Sequence, residues 1–600
     1  MIAMDGFFCG KMSRWSLCSL SAAVLLQSVL AWHYLAACPL NGERIPGSGL
    51  YAQHLFQARA RQDSSGALAI EGFDFTYNAG TYLSPWTDGR TVQLFLCVPW
   101  LTPFQACMLC LWASLLALPI CVYASSSLAA DTTVAGMGAL LCPVLVASSW
   151  GRAAVALGYT DLWLGASCFS LALAVVQGLH RSPALLAFFL AWASVALAWL
   201  APVLWLVFAV AAGARLWARD PWAIKLAVLT SLAVSVAVTW SQGAAAIATW
   251  MHSPLARALT LLTERPDLLS QSWSISLNGL SWQAKVFSVI ALAALAGTIY
   301  SRDYFIGCSF LAGTWLGCSA AWQLFSGVES SAYAQAHLFL TALLWLAPVS
   351  YLLAHAWQAM LSKWPLLVSS VTVLCGVGGL GLWWQNVTPS PLPSAPDGPT
   401  LAFLERLRDS TDPTARILIE ETHLPDWATL FPWFTRRMFV NAPAGKGTAD
   451  AGLHLSADTL YGRALASWSD TELDYLAKVY NIGWIVARSE SVCSRMDRWP
   501  TVRKSLDLPM GYRLFVLERP HSFVLRGQAQ IAEIAPAFVT LENLQPTDDE
   551  IVLSFLYHPK LLSSLDRVRI EKEVDAETGA CLIRLKLLLP ASRATISWCP

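Results

Sequence analysis

Charged side chains are scarce in this sequence of 600 residues, where they make up 13% of the total. Soluble domains carry about 25%. The scarcity is uneven, because residues 1–390 contain 29 charged side chains and residues 391–600 contain 49. This distribution excludes a single water-soluble globule and indicates a lipid-solvated first part followed by a water-solvated second part. The net charge of zero gives no basic excess that would indicate nucleic acid as a partner.

Several signatures of soluble enzymes and secreted scaffolds are also missing. The second part has no glycine-rich phosphate loop, no His and Cys residues at metal-ligand spacing and no Gly-x-Ser-x-Gly motif. Of the fifteen cysteines, twelve lie at or before Cys375, mostly in apolar runs where cysteine acts as a small apolar residue. Cys107 and Cys110 form a Cys-x-x-Cys pair that we interpret in the same way. The remaining cysteines allow one disulfide without indicating which pair forms it.

Long apolar runs occupy residues 15–384 and predict membrane-spanning helices. A helix needs about 20 apolar residues to cross a hydrocarbon core of about 30 Å. We predict about eleven spans, near 15–37, 103–125, 132–149, 159–179, 183–199, 201–217, 222–242, 286–301, 304–326, 335–358 and 364–384. The run 183–217 contains Pro202 near its middle, which favours a tight hairpin of two helices over one long helix.

The basic residues of the short loops indicate the orientation of these spans. With a cytoplasmic N-terminus, the inner loops carry basic residues, as the positive-inside rule expects. These residues are Lys11, Arg14, Arg181, Arg215, Arg219, Lys225, Arg302 and Lys363. Eleven crossings then put the C-terminal domain outside the cytoplasm, and we predict a multi-pass protein of the cell membrane, the inner membrane in a Gram-negative host. Because the spans hold almost no charge, a transporter is the third hypothesis for function.

The predicted fold class is therefore a polytopic all-α membrane bundle with a C-terminal extracytoplasmic α/β and β-rich domain. The predicted regions are a cytoplasmic N-terminus 1–14, a transmembrane domain 15–384 with long outer loops 38–92 and 243–285, a linker 385–398, an α/β domain 399–518 and a β-rich domain 519–600. Within the α/β domain, Ser469 and Glu472 predict a capping box at the start of a helix. Ile482–Ala487 has the composition of a buried strand.

The first long outer loop, 38–92, is called the first loop below. Helical spacing over Leu50–Arg61 predicts a short helix that lies in the membrane interface. Turns are predicted around Gly72 and Gly80, followed by Pro85 and Trp86. Because the spans are almost free of charge, the polar chemistry is concentrated in the first loop and at outer helix ends, which indicates a site at the outer surface of the membrane.

Three short segments resemble a known group of proteins. Gly72–Gly80 (GFDFTYNAG), followed by PWTD at 85–88, looks like a pattern in the first loop of GT-C membrane glycosyltransferases, more narrowly of YfhO-like bacterial membrane proteins. Tyr475–Arg488 (YLAKVYNIGWIVAR) and Ile551–Pro559 (IVLSFLYHP) are similar to their outer domain. A catalytic loop after the first helix, about eleven spans and an outer C-terminal domain agree with this architecture.

The resemblance implies an enzyme that moves a sugar from a polyprenyl-phosphate carrier to a glycan or lipid acceptor at the outer face of the membrane. A carboxylate in the first loop would take or orient the acceptor proton. Carried over by position, the catalytic residues would be Glu43, Asp74 and Asp161. The substrate-binding residues would be His54, Arg59, Trp86, Asp88 and Arg152, of which Arg152 could hold the lipid phosphate. A divalent metal, Mg²⁺ or Mn²⁺, is the cofactor that this chemistry allows.

Each of these residues also has an ordinary structural interpretation. Glu43 could form a solvated pair with Arg44, Asp74 and Asp88 could cap turns, and Asp161 could be a first-turn helix charge. In many proteins of the resembled group an acidic residue precedes the first-loop helix, whereas this chain has Gly47-Ser48-Gly49. This difference favours the alternative hypothesis, a non-enzymatic envelope protein that binds glycan or lipid on the same scaffold.

Overall fold

The computed structural model describes residues 14–39, 44–47, 49–66, 71–83, 89–158, 160–178, 183–217, 221–238, 282–301, 303–326, 331–364, 392–441 and 453–599. The span predicted at 364–384 lies almost wholly outside these residues, as do the outer loop 243–285 for all but its last residues, Glu43, Trp86 and Asp88.

α-Helices predominate in the described residues up to Lys363, and β-strands predominate after it. The α-helices of the described residues are, in chain order, α1 Arg14–Tyr34, α2 Tyr51–Ser65, α3 Arg90–Leu96, α4 Pro103–Ala129, α5 Thr132–Ala147, α6 Ser149–Leu157, α7 Thr160–Gly178, α8 Pro183–Leu200, α9 Pro202–Trp217, α10 Trp222–Val238, α11 Trp282–Ser301, α12 Tyr304–Ser326, α13 Ser331–Lys363, α14 Gly398–Ser410, α15 Phe431–Thr435, α16 Asp470–Val479 and α17 Glu490–Asp497. The strands of the same residues are β1 Ile45–Pro46, β2 Gly72–Asp74, β3 Thr81–Leu83, β4 Ser394–Ala395, β5 Arg416–Ile419, β6 Met438–Phe439, β7 Thr459–Leu460, β8 Arg463–Ala464, β9 Ile482–Ala487, β10 Val502–Asp507, β11 Arg513–Leu517, β12 Val524–Arg526, β13 Gln528–Ile534, β14 Phe538–Gln545, β15 Glu550–Leu556, β16 Leu561–Ser563, β17 Val568–Val574, β18 Cys581–Leu587 and β19 Arg593–Trp598.

These elements form two compact units. The helical unit comprises Met1–Pro39 and Leu109–Leu392, and the mixed unit comprises Leu40–Met108 and Pro393–Pro600. The first loop is therefore part of the same unit as the C-terminal region, although more than 300 residues separate them in sequence.

The helical unit contains apolar helices close to the predicted spans. Among the described residues, four helices are long and apolar enough to cross a membrane, Trp15–Tyr34, Pro103–Ala129, Thr160–Gly178 and His337–Lys363. Helices α5 and α6 pass the same test as a pair and are bent by 71° at Ser148. The chain is thus a membrane protein by its helices, while the count of eleven spans remains a prediction.

Proline and glycine residues determine two features of the helical unit. The break predicted at Pro202 is confirmed, because α8 ends at Leu200 and α9 begins at Pro202. A Cβ at Gly297 of α11 would lie 2.1 Å from the carbonyl oxygen of Pro348 in α13. Helices α11 and α13 therefore approach closely at a point that has room only for glycine, as at many membrane helix interfaces.

A five-stranded sheet forms the first half of the C-terminal region. Its strand order is β10-β11-β9-β5-β6, with β5 parallel to both β6 and β9. The predicted strand Ile482–Ala487 is β9, and all six of its residues are buried. The predicted capping box is confirmed at the start of α16, where Ser469 Oγ accepts the backbone N–H of Glu472 and the Glu472 carboxylate accepts the N–H of Ser469.

Two four-stranded antiparallel sheets form the second half. Their strand orders are β12-β15-β18-β17 and β13-β14-β19-β16, and apolar side chains of both sheets share one core. This arrangement confirms the β-rich, sandwich-like end predicted from the sequence. Cys493, Cys581 and Cys599 are free thiols, so none of the disulfides that the sequence allowed is present among them.

The first loop contributes strands and core residues to the mixed unit. Strand β1 pairs antiparallel with β4, at the end of the segment predicted as a linker. Strands β2 and β3 form a hairpin, where the sequence predicted only turns. The first loop and the C-terminal region therefore fold as one unit.

Candidate functional site

The segment that carries the first-loop resemblance docks the hairpin onto the C-terminal strands. Asn78, Ala79 and Gly80 all have positive φ and form the turn between β2 and β3. The backbone N–H of Asn78 donates to the carbonyl of Phe439 at 2.9 Å, and that of Leu556 donates to the carbonyl of Ala79 at 2.8 Å. Left-handed backbone at two residues other than glycine costs energy, which the surrounding contacts must offset. The turn is thus clamped between β6 and β15.

Aromatic rings hold the same hairpin in the core. Phe73 stacks on Trp598 with ring centroids 5.9 Å apart, and Phe75 meets Phe555 edge to face at 5.8 Å. Both phenylalanines are almost fully buried in the core of the two antiparallel sheets. Such aromatic pairs stabilise by about 0.5–1.5 kcal/mol each beyond the area that they bury. The first loop is therefore held in a defined position against the C-terminal strands.

Helix α2 carries polar side chains on a face that is buried. Gln53, His54, Gln57 and Arg61 fall within about 100° of the helix circumference at 100° per residue and are between 0 and 5% exposed. The prediction of an amphipathic helix lying in the membrane interface is therefore wrong. The helix is a buried element of the mixed unit, because the hairpin and α3 cover its polar face.

Helix α3 runs alongside α2 in the same direction. A Cβ at Gly89, just before α3, would lie 2.5 Å from the carbonyl oxygen of His54, and φ at Gly89 is +92°. At the other end, Gln62 Nε2 of α2 donates to the carbonyl of Leu96 at 3.3 Å. Only glycine allows so close an approach at such a φ. The start of α3 is thus held directly against the helical turn that carries His54.

Helices α2 and α3 together bury several large polar and charged side chains. We call the buried amide, imidazole and guanidinium side chains of α2 and α3 the polar helix pair: Gln53, His54, Gln57, Arg61, Arg90 and Gln93, each at most 5% exposed. Burying a guanidinium costs several kcal/mol before partners offset it. Both amide atoms of Gln57, which is 0% exposed, lack a hydrogen-bond partner among the described residues. A buried polar group without a partner marks a place where a polar ligand or water is expected.

The hairpin closes over Arg61. A Cβ at Gly72 would lie 2.9 Å from Arg61 Cα, and the backbone N–H of Phe73 donates to Ser64 Oγ at 3.3 Å. Strand β2 therefore packs directly on the last turns of α2. Because of this contact, Arg61 is 0% exposed although α2 is part of the long first loop.

Asp74 has the role of a turn cap. Its Oδ1 accepts the backbone N–H of Thr76 at 2.7 Å and the Thr76 hydroxyl at 2.6 Å. Burial raises the pKa of Asp74 to about 6, and the charge of Asp63 acts in the same direction, while the hydrogen bonds from Thr76 lower it. Asp74 Oδ2 accepts no hydrogen bond within the described part of the chain. The carboxyl group is thus both a structural cap and an acid that titrates near neutrality.

Arg59 differs from its neighbour Arg61. Its guanidinium forms an ion pair with Asp63, one helical turn along α2, at 3.0 Å between Nε and Oδ2. The Arg59 side chain is 42% exposed, and such surface pairs contribute little to stability. Arg59, which was predicted as a substrate-binding residue together with His54, therefore lies on the outer face of α2, away from His54 and the rest of the polar helix pair.

Two further predicted site residues lie in the helical unit. Arg152 is partly buried on α6, and Asp161 is 5% exposed in the first turn of α7. The two helices are consecutive and are separated by Gly158, which ends α6 in the left-handed region. A carboxylate in the first turn of a helix interacts favourably with the helix dipole. The structure thus places Arg152 and Asp161 on neighbouring helices, and Asp161 at a position with an ordinary structural role.

The structure brings together His54 with residues that the sequence analysis did not select. Gln57, Arg61, Arg90 and Gln93 were missed, although Gln53, Gln57 and Arg61 repeat at the i, i+4 spacing of one helix face. That spacing is a signal that a polar face exists. Whether the face is buried depends on the hairpin and on α3, which the spacing does not show. Glu43, Trp86 and Asp88 lie outside the described residues.

The described residues do not by themselves fit a metal site. They contain no group of three or more His, Cys, Asp or Glu side chains that could hold a metal ion. Mg²⁺ usually takes one or two carboxylates together with phosphate and water, so a complete protein cage is not required for it. No residue that the structure describes is therefore assigned as a metal ligand.

Comparison with known proteins finds similar structures but no similar sequences. No protein-family model and no curated protein matches the chain. Among solved structures, the chain is similar to the oligosaccharyltransferase AglB from Archaeoglobus fulgidus in complex with an inhibitory peptide and a dolichol-phosphate, with 13% identity, a TM-score of 0.48, and 84% of this chain and 75% of that chain covered. The apo form of the A. fulgidus oligosaccharyltransferase matches with 12% identity, a TM-score of 0.48, and 78% and 69% covered.

A second similar enzyme is the arabinofuranosyltransferase AftD from Mycobacteria. The match has 13% identity and a TM-score of 0.49 and covers 86% of this chain but 40% of that one. By their names, both similar proteins are glycosyltransferases, the class of enzyme that the sequence resemblance indicates. At such identities and TM-scores, the similarity assigns to this chain neither an activity nor a donor nor a catalytic residue.

Proposed function

We propose that the protein is a membrane glycosyltransferase that moves a sugar from a polyprenyl-phosphate carrier to a glycan or lipid acceptor at the non-cytoplasmic face of the cell membrane. The observation that carries the proposal is the polar helix pair. It buries His54, Gln57, Arg61 and Arg90 in a segment that begins about 16 residues after the first membrane helix ends.

The chemistry of the polar helix pair suits a phosphate-bearing donor. Guanidinium groups bind phosphate through paired, charge-assisted hydrogen bonds, and they stabilise the negative charge that develops on a leaving phosphate. Arg61 and Arg90 are held by packed helices and by the hairpin, so their positions are defined before a substrate binds. Such preorganisation is what a transferase needs for electrostatic stabilisation.

The proposed reaction needs a base as well as a phosphate site. The acceptor hydroxyl loses its proton to a carboxylate as its oxygen forms a bond to the sugar C1. The bond between C1 and the phosphate oxygen breaks, and the lipid phosphate leaves with the electron pair. Glu43, Asp74 and Asp161 are the proposed carboxylates. A pKa of about 6 suits Asp74 for this task at neutral pH. Arg152, Trp86 and Asp88 remain proposed substrate contacts, and a divalent metal remains a proposed cofactor to which no step is assigned.

The experiment replaces each proposed carboxylate in the full-length protein in its host and profiles the surface glycans. We expect Glu43→Ala, Asp74→Ala or Asp161→Ala to remove a glycan product at unchanged protein level. Arg59→Gln is the matched control, because Arg59 lies on the exposed face of the same helix. Unchanged glycans in all three carboxylate variants would overturn the catalytic assignment.

Asp74 has a sharper test of its own. Asp74→Asn keeps an oxygen that accepts from Thr76 but removes the base, whereas Asp74→Ala removes both. Loss of product in Asp74→Asn with a melting temperature no lower than that of the unaltered protein supports the catalytic role. If Asp74→Asn forms product normally and only Asp74→Ala is destabilised, Asp74 serves only to cap the turn.

A second candidate function is a non-enzymatic envelope protein that binds glycan or lipid. The observation that favours it is the cap at Asp74, because one of its oxygens already serves the turn. Neutralising every carboxylate of the first loop distinguishes the two proposals. A binding protein keeps its cellular role in that variant, and a transferase that uses these carboxylates loses it.

A further inference from the structure

A cavity of about 490 Å³ lies inside the mixed unit, apart from the polar helix pair. Its walls come from the hairpin, from β15 and the residues after it, and from the turn between β17 and β18. Its aromatic lining residues are Phe73, Tyr82, Tyr461, Tyr480, Tyr557 and His558. We call this cavity the tyrosine pocket. Its volume is within the range of roughly 300–1,000 Å³ found for small-molecule sites.

The segments that resemble GT-C proteins meet at the tyrosine pocket. The hairpin segment supplies Phe73 and Gly80, the helix-to-strand segment supplies Tyr480, and the β15 segment supplies Leu556 and the residues after it. A Cβ at Gly80 would lie 2.8 Å from the Phe73 ring, so glycine allows the backbone to pack directly against this ring. Three segments that are far apart in sequence thus form one concave surface.

Tyr480 is a lining residue of the tyrosine pocket and is 1% exposed. Its hydroxyl forms no hydrogen bond with any residue that the structure describes. A hydroxyl without a protein partner takes water or a ligand as its hydrogen-bond partner. The cavity therefore offers a ligand one hydrogen bond from Tyr480.

Tyr461 is a lining residue of the tyrosine pocket and has a strained backbone conformation. Its φ is +55°, which is rare for a bulky residue, and its side chain is held by a hydrogen bond from the hydroxyl to the carbonyl of Thr578 at 3.3 Å. The residue is 41% exposed. A tight β7–β8 turn thus presents an aromatic ring to solvent beside the cavity, a strained arrangement of the kind found at binding sites.

The tyrosine pocket has no net charge. Its lining contains no Asp, Glu, Lys or Arg among the described residues. The nearby Lys560 and Glu71 form an ion pair of 2.5 Å. His558 Nδ1 accepts the backbone N–H of Lys560, so neutral His558 carries its proton on Nε2. Burial lowers the pKa of His558, which keeps the ring neutral. The pocket therefore suits a ligand without charge.

We propose that the tyrosine pocket binds a neutral oligosaccharide, which would be the acceptor glycan if the proposed transferase activity holds. A sugar ring presents C–H groups on its faces and hydroxyl groups at its rim. Aromatic rings with hydroxyl groups at their edges complement both features. A charged ligand would find no opposite charge in the lining, and a lipid tail would leave the Tyr480 hydroxyl without a partner.

The test measures binding of soluble tetrasaccharides to the full-length protein in nanodiscs, without any sugar donor. The probes are cellotetraose, mannotetraose and an α-arabinofuranosyl tetrasaccharide, with anionic tetragalacturonate and an aromatic tetrapeptide for comparison. We expect at least one neutral sugar to bind. We expect Tyr461→Ala to weaken its affinity by about tenfold and Tyr480→Phe, which removes one hydroxyl, by about threefold.

Two control variants match these changes. Met510→Ala alters another exposed residue with positive φ, 38% exposed and outside the cavity. Tyr512→Phe removes a hydroxyl that bonds to the carbonyl of His423 instead of lining the cavity. Both should leave sugar affinity within twofold of the unaltered protein. Absence of binding by all neutral sugars, preference for the anionic sugar or the peptide, or equal effects of test and control variants would each overturn the proposal.

Binding and transfer distinguish this proposal from the proposed function. In one outcome, sugar binding depends on Tyr461 and Tyr480, but the carboxylate variants leave the surface glycans unchanged. This result supports the proposed sugar site and contradicts the proposed transferase activity. In the opposite outcome, the carboxylate variants change the surface glycans, but no tetrasaccharide binds. This result supports the proposed transferase activity and contradicts the proposed sugar site.

Discussion

The helical unit and the mixed unit differ in how many charged side chains they bury. Among the described residues, the helical unit buries hydroxyl and amide side chains and one charged residue, Asp161. The mixed unit buries five, Arg61, Asp74, Arg90, Arg416 and Glu420. A lipid-solvated body offers few ways to compensate a charge, whereas a water-solvated domain can surround it with backbone groups. Buried charged side chains are therefore concentrated in the mixed unit, although the proposed carboxylate Asp161 lies in the helical unit.

Buried charge alone does not make a site, as Arg416 shows. Its guanidinium donates to the carbonyl of Tyr480 at 2.7 Å and to the hydroxyl and carbonyl of Ser554 at 2.8 and 2.5 Å. The rings of Phe523 and Phe555 lie 4.8 and 4.6 Å from its central carbon. Protein groups thus accept hydrogen bonds from both terminal nitrogens of Arg416, while its Nε has no partner among the described residues, and its role is to join the five-stranded sheet to the antiparallel sheets. In the polar helix pair, by contrast, Gln57 has no hydrogen-bond partner for either of its amide atoms in the part of the chain that the structure describes.

The largest effect should come from removing this joint. Arg416→Ala leaves three acceptors of Tyr480 and Ser554 without a donor and opens a cavity, and it should lower the free energy of unfolding by about 3–5 kcal/mol. Thermal unfolding of the full-length protein, followed by tryptophan fluorescence in detergent, measures the change. Arg503→Ala removes an ion pair that is exposed on both sides and should cost less than about 1 kcal/mol. Equal costs would show that Arg416 does not join the sheets.

The pH dependence of stability should reveal the buried carboxyl of Asp74. Its pKa in the folded protein, about 6, is above the ordinary value of 3.8. The folded state therefore holds the proton more tightly, and this contribution is complete below pH 4 and lost as the pH rises through 6. The free energy of unfolding should fall by up to about 3 kcal/mol over that window. In Asp74→Asn this part of the pH profile should be flat, and an unaltered profile would contradict the burial of the charge.

The polar helix pair should separate activity from stability. Arg61→Met removes the buried guanidinium at similar volume, and we expect about a hundredfold loss of sugar transfer, comparable to the loss of one preorganised donor. Product formation per folded molecule, measured in membranes, gives the ratio. Arg59→Met on the exposed face of α2 should change it less than twofold. If the Arg61 variant melts earlier but transfers sugar normally, the pair has a structural role only.

The smallest effect should come from the contact between α2 and α3. At Gly89→Ala the new Cβ would meet the carbonyl of His54, and we expect a loss of about 2 kcal/mol in unfolding free energy. Gly462→Ala has a similar positive φ, +73°, but nothing within 4 Å of its Cβ. It should cost about 1 kcal/mol, the backbone strain alone. The difference between the two variants measures how tightly α3 is held.

Local features of the C-terminal region were predicted well because they depend on neighbouring residues. The capping box at Ser469 and the strand Ile482–Ala487 follow from residue types within a few positions. The first loop was predicted less well. Its helix was expected to lie in the membrane interface because its spacing could not reveal what covers it. The candidate residues were chosen by type and position, so Asp74 was selected and Arg61 was not.

The sequence by itself indicated lipid-solvated helices within the first two-thirds of the chain and a water-solvated remainder, since composition sets the cost of each environment. It also indicated, through local periodicity and caps, the apolar helices, the helix that begins after Ser469 and the strand Ile482–Ala487. Only the tertiary structure decided that the first loop belongs to the C-terminal fold, that α2 buries its polar face and that three distant segments enclose the tyrosine pocket. These features rest on contacts such as Glu71 with Lys560, 489 residues apart, and local sequence does not encode which distant surface will cover it.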